Sequence, residues 1–316
     1  IYEINNYCYD VDLNDDTIVV AASDGGYYKF SYTLDNNGFP IVEEVASEDN
    51  HSIDYGNGSI DRVIISEGFY DVIYMLDKYT GGYSDVWFDT ADGSTIDPPF
   101  INNNCYQSKY LDIALDESES NGSSFDTHWL YSLMKHTELN ENSDDDDFLS
   151  YSTSIVKRGI TISPGIITDV MLSNADCTFL YNLSYGSNEI HFGGDNLAVA
   201  SESDGIILFN KGDDGNLDSL FSFNLSGGQA QTVYSMENAV IGGFSNDKGC
   251  YMALLESDNN SASNYISFAD GYSIKGIHVS NNIVGLAAGY DGIQLYEWLG
   301  GDSISPYASI DTDGYA

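Results

Sequence analysis

A glycine returns along this chain at a nearly constant interval, each time between two short apolar runs. Gly25 stands in Ile18–Phe30, Gly205 in Leu197–Phe209, Gly249 in Val240–Leu254 and Gly292 in Gly271–Trp298; Gly68, within Val63–Tyr74, fits the same slot. The interval is 43 residues from Gly25 to Gly68, 44 from Gly205 to Gly249 and 43 from Gly249 to Gly292. Glycine has a physical reason to recur there, because a tight hairpin needs positive φ and only glycine adopts it without steric cost.

The phrase around Gly292 shows what surrounds each glycine. Ile274–Val279, Ile283–Ala288 and Ile293–Trp298 are apolar or alternating runs separated by Ser-Asn-Asn and Gly-Tyr-Asp-Gly. Such runs suit a pleated surface and are too short for ordinary helices. Each glycine therefore marks the turn between the second and third strands of a repeated unit. Tyr307–Ile310 reads as a fourth strand, and Tyr9–Leu13 as the first strand of the first unit, with Ile1–Ile4 free to latch the seam. The 137 residues between Gly68 and Gly205 hold about three intervals, with Gly122 and Gly165 as the best intermediate anchors. That makes seven units. A period of about 40–45 residues with four short strands per unit is the signature of a β-propeller, whose blades bury their faces only against one another.

The expected fold is thus all-β: one propeller domain over residues 1–316, with seven blades of four antiparallel strands at about 5–47, 51–97, 104–143, 147–184, 188–226, 230–269 and 273–313. The middle is harder to thread. Residues 89–104 are overlong and carry Pro98-Pro99, and residues 147–185 fit two registers, so a six-bladed or irregular ring is the alternative.

Charge narrows the function. The chain carries 50 acidic and 10 basic residues, a net charge of -40. A surface this negative repels a phosphate backbone and an anionic membrane, which argues against nucleic-acid binding. No apolar run reaches the roughly 18–20 residues that span a bilayer, so no transmembrane segment is expected. Cys8, Cys105, Cys177 and Cys250 form no C-x-x-C pair, so a zinc knuckle is not indicated, while disulfides and buried thiols both remain open. The chain begins at Ile1 with no charged-then-apolar leader, which fits either a mature product whose signal peptide has been removed or a sequence that is incomplete.

A Val-rich first strand, a small-residue second strand, Asp-Gly, an apolar third strand and a closing Asp311-Thr-Asp-Gly-Tyr-Ala316 together resemble LVIVD-repeat β-propellers. Gly271–Trp298 and Asp311–Ala316 carry the resemblance best, and residues 90–190 carry it poorly. It implies a secreted or cell-surface protein and brings no catalytic residues with it.

Signatures of nucleophilic, zinc-peptidase and phosphate-binding sites are absent. Aligning the first strands Val11–Leu13, Ile190–Phe192, Val233–Ser235 and Ile277–Val279 puts Asp12, His191, Tyr234 and His278 at equivalent positions lining a central channel. Two histidines and an aspartate suit a metal, and polar side chains filling a wet channel are the simpler reading. Asp213, Asp214 and Asp218 offer hard oxygen ligands for calcium, the one cofactor the sequence suggests, although one loop supplies fewer than the six to eight oxygens that calcium takes. Tyr79, Tyr83 and Tyr106 are candidates for a carbohydrate-stacking surface. The expected function is a non-catalytic structural or interaction module that binds a protein partner, carbohydrate or copies of itself, assembling into a filament or surface layer. The alternatives are a polysaccharide hydrolase or lyase and a calcium-assisted carbohydrate-binding module.

Overall fold

The computed structural model describes residues 8–13, 17–22, 26–37, 40–48, 60–66, 72–78, 84–90, 108–116, 126–139, 149–163, 166–169, 178–183, 186–212, 216–256 and 261–312. Among the described residues every regular element but one is a β-strand, the exception being a single 3-10 turn at Gly289–Asp291. The chain divides into two compact units, residues 1–150 with 156–178, and residues 151–155 with 179–316.

The first unit opens with an antiparallel meander of β1 (Asp10–Leu13), β2 (Thr17–Ala21), β3 (Tyr27–Leu34) and β4 (Pro40–Glu48). A three-stranded sheet follows, β5 (Ile60–Ile65), β6 (Val72–Lys78) and β7 (Ser84–Thr90). Val19, Ala21 and Tyr27 of the meander pack on Ile60, Val63 and Ile73, forming the core of this unit. Next come β8 (Ser108–Asp116), β9 (Asp126–Leu139), β10 (Leu149–Ser163) and β11 (Ile166–Asp169) in one sheet, where β12 (Thr178–Leu183) also pairs with β10. Residues 151–155 of β10 belong to the second unit.

The second unit holds three complete meanders. They are β13 (Ser187–Gly193), β14 (Asn196–Ser201), β15 (Gly205–Lys211) and β16 (Leu217–Phe223); β17 (Ala230–Met236), β18 (Ala239–Phe244), β19 (Gly249–Leu255) and β20 (Ala262–Phe268); and β21 (Gly276–Ser280), β22 (Ile283–Ala287), β23 (Ile293–Gly300) and β24 (Ser303–Ile310). The three strands expected in Gly271–Trp298 are therefore β21, β22 and β23. β14 and β18 are buried along their whole length, as strands covered on both faces must be. That burial explains their runs of small and branched apolar residues without polar alternation.

The all-β expectation holds, and the architecture is that of a β-propeller. The blade count departs from seven: the described strands fall into six sheets, of which five contain a four-strand path. The departure has a length cause. β9 and β10 run for 14 and 15 residues, against about 5–6 for an ordinary strand. Stretches expected to form two blades thus extend into one sheet, which is the irregular six-sheet alternative.

Three anchor glycines lie among the described residues and have the backbone expected of them, with φ of +82° at Gly205, +69° at Gly249 and +71° at Gly292. A Cβ at each would also run into the backbone carbonyl at the end of the fourth strand: Phe223, Ala269 and Ile310. The turn glycine thus serves twice, supplying the turn and letting the outermost strand close over it.

Bulges recur at two places. One lies in the first strand, between Ile60 and Arg62, Tyr110 and Asp112, Ser187 and Glu189, and Ala230 and Thr232. The other lies in the outer hairpin, at Lys29/Phe30, Leu208/Phe209, Leu254/Leu255 and Leu295/Tyr296. An outer bulge twists an edge strand away from neighbours and blunts edge-to-edge aggregation.

Candidate functional site: the inner strands

The first strands β13, β17 and β21 lie side by side, and the repeat brings three of the four predicted channel residues together. The His191 and Tyr234 rings are 4.0 Å apart between centroids and tilted by 33°; Tyr234 and His278 are 5.6 Å apart, edge to face. These aromatic contacts form a ladder across three successive sheets. His278 is its exposed end, whereas His191 and Tyr234 are half-buried.

Each inner member of the ladder also reaches a peptide group of the following strand. His191 Nδ1 accepts the Ser235 backbone N–H at 3.1 Å. Tyr234 donates its hydroxyl to the Val279 carbonyl at 3.2 Å. Ser235 and Val279 are themselves equivalent, each directly following the ladder position of its own strand.

Asp12, in the first unit, does the same thing with different chemistry. Its Oδ2 accepts the Ile65 N–H at 2.8 Å and its Oδ1 the Leu13 N–H at 2.9 Å. Ile65 occupies in β5 the place of Ser235 in β17, judged by the matching inner bulges. Burial pushes the Asp12 carboxyl above the usual aspartate range; the two backbone N–H groups and Arg62 pull the other way, while Asp10 adds to the rise.

A second tier escaped the sequence reading. Two residues before the ladder position stand Asp10, Arg62, Asp112, Glu189 and Thr232. Asp10 Oδ2 accepts the Val63 N–H at 3.0 Å and lies 3.4 Å from an Arg62 terminal nitrogen; Arg62 Nε lies 3.3 Å from Asp112 Oδ1. In the second unit Thr232 donates its hydroxyl to Glu189 Oε1 at 3.1 Å. The signal available was a polar residue two positions before the ladder position in five first strands, in phase with it on the same face.

Asp213 and Asp214 lie outside the described residues, as do Tyr79, Tyr83 and Tyr106. Asp218 is exposed on β16, opposite Asn210. Among the described residues no group of three or more His, Cys, Asp or Glu is placed to hold a metal ion. Cys250 is a free thiol fully buried in β19, and Cys105 and Cys177 lie outside the described residues.

Solved structures place this geometry in a known architecture. A functionally unknown protein from Desulfotomaculum acetoxidans superposes with a TM-score of 0.59 at 13% identity, covering 100% of this chain and 90% of that one. The WD40 repeats of RRP9 give 0.56 at 14% identity, covering 99% and 83%. A chain of the mitotic checkpoint complex gives 0.57 at 11% identity, covering 98% and 78%. The fold is a β-propeller. No family model matches the chain, and no curated protein does. Likeness at these identities carries the fold alone, so function rests on the residues. Among the described residues no helix is long and apolar enough to cross a membrane.

Proposed function

We propose that this chain is a non-catalytic propeller of the LVIVD-repeat kind, secreted or held at a cell surface, which works by binding a protein partner or copies of itself. One observation carries the reading. The polar groups at the equivalent position of three first strands are bonded to the backbone of the neighbouring sheet's first strand, Asp12 to Ile65, His191 to Ser235 and Tyr234 to Val279. A carboxylate, imidazole or phenol bound in this way joins one sheet to the next, which supports a structural use of these groups. A charge of -40 selects partners that are cationic or that bring cations with them. The likeness to a chain of the mitotic checkpoint complex supports a propeller that serves as a binding surface.

The test has separate arms. The purified chain, offered neutral and acidic polysaccharides with and without a chelator, is expected to turn over none of them; reproducible cleavage would replace this reading with the polysaccharide enzyme. Sedimentation velocity across a wide concentration range, with and without millimolar calcium, is expected to show assembly promoted by calcium as the carboxylates are screened. A single monomeric boundary in every condition would remove self-assembly. Impermeant biotinylation of intact cells that make the protein should label it, and labelling only after lysis would remove the surface location.

A further inference from the structure

The sheets β13–β16 and β17–β20 meet through an apolar seam in which Ala198, Ala200 and Leu208 pack on Val233, Val240 and Phe244. Two polar side chains enter it. Asn196 lies two residues before Ala198 on β14 and so shares its face. Ser235 is the cross-strand partner of Val240 on β17 and shares that face. Both enter at the same end: Gly193 pairs with Asn196 across the hairpin, and a Cβ on Gly193 would run into the backbone of Ser235. Asn196 is 0% exposed and Ser235 2%. The amide oxygen and nitrogen of Asn196 and the hydroxyl of Ser235 all lack a hydrogen-bond partner in the protein.

The next seam shows that the fold does not demand this. At the equivalent positions between β17–β20 and β21–β24 stand Ala239 and Val279, and that seam is apolar. Three buried polar atoms with no protein partner are rare, because native interiors satisfy such groups with protein or with ordered water. A primary amide and a hydroxyl together offer donors and acceptors on both sides of one small solute, as an internal water requires.

We propose that this end of the seam is a binding site for a single internal water, held between the Asn196 amide and the Ser235 hydroxyl. The water completes the hydrogen bonding of both side chains and ties β14 to β17 beside the backbone contact that His191 makes with Ser235. The site is independent of the propeller's partner, so its failure and the failure of the functional reading are distinguishable.

A high-resolution crystal structure of the wild-type chain decides it. The expected result is an ordered peak at about 2.7–3.2 Å from an Asn196 amide atom and from Ser235 Oγ, the ordinary hydrogen-bond range. A direct Asn196–Ser235 bond, or the two side chains turned to other protein groups with no peak between them, overturns the proposal. Oxygen-17 relaxation dispersion in solution gives a second readout. The double variant Asn196→Leu, Ser235→Ala should lose one long-lived water relative to wild type, and an unchanged count would also overturn it. If the double variant does not fold, the wild-type density decides alone.

Discussion

Gly249 and Gly271 offer a clean way to test the claim that the turn glycine serves twice. Both have positive φ, +69° and +96°, so an alanine at either incurs the left-handed penalty of about 1–2 kcal/mol. They differ in surroundings. A Cβ on Gly249 meets the backbone of Phe268 and Ala269, whereas a Cβ on Gly271 meets nothing within 4 Å. Stiffening the unfolded chain returns about 0.4–1 kcal/mol in both cases. Gly271→Ala should therefore destabilise by about 1 kcal/mol. Gly249→Ala adds an overlap with backbone that cannot rotate away, about 1–3 kcal/mol on the scale of overpacked interiors, for a total near 2–4 kcal/mol. Urea unfolding followed by the fluorescence of Trp298, which lies in the same unit, measures both. Equal losses at the two positions would refute the close-approach argument and leave backbone conformation as the whole reason for the glycine.

Three further outcomes follow from the inner strands and the core. Tyr234→Phe keeps the ring contacts with His191 and His278 and removes the bond to Val279, so it should cost about 0.5–1.5 kcal/mol in the same unfolding assay; no loss would mean the hydroxyl is exchanged for water without penalty. Asp12 has a folded pKa raised above its unfolded value, so the folded state holds the proton more firmly, and stability should fall as pH rises from the ordinary aspartate range through the raised one. Asp12→Asn should flatten that stretch of the stability–pH curve, and an unaltered slope would assign it to other carboxylates. Burial raises the Cys250 thiol far above its ordinary range, so that thiol should react with a disulfide reagent only as fast as the chain unfolds, and rapid labelling under native conditions would contradict its placement.

What the sequence revealed depended on whether the physical constraint left a mark on residue identity. Positive φ leaves such a mark, so Gly205, Gly249 and Gly292 could be picked out and the repeat counted from them. Alignment of first strands then placed His191, Tyr234 and His278 at one level, and the structure shows their rings in contact. Their bonding partners were not legible, because a peptide N–H or carbonyl is present at every residue and marks none. Asp10, Glu189 and Thr232 were missed for another reason: the aligned segments Val11–Leu13, Ile190–Phe192 and Val233–Ser235 begin one residue after them. In the middle of the chain, β9 and β10 outrun the usual strand length, so a count based on average spacing placed a blade boundary inside one sheet.

The stitching of inner strands to peptide groups bears on how such a chain tolerates change. A side chain that bonds to another side chain ties two positions together, and neither can be altered alone. The bonds from Asp12, His191 and Tyr234 to Ile65, Ser235 and Val279 make no such demand, since the atom gripped is supplied by whatever residue follows. The joint accepts a carboxylate, an imidazole or a phenol, and either sense of donor and acceptor. Sheets built this way are interchangeable parts with a common coupling, so a copy inserted next to its original would meet its neighbours with the joint already in place.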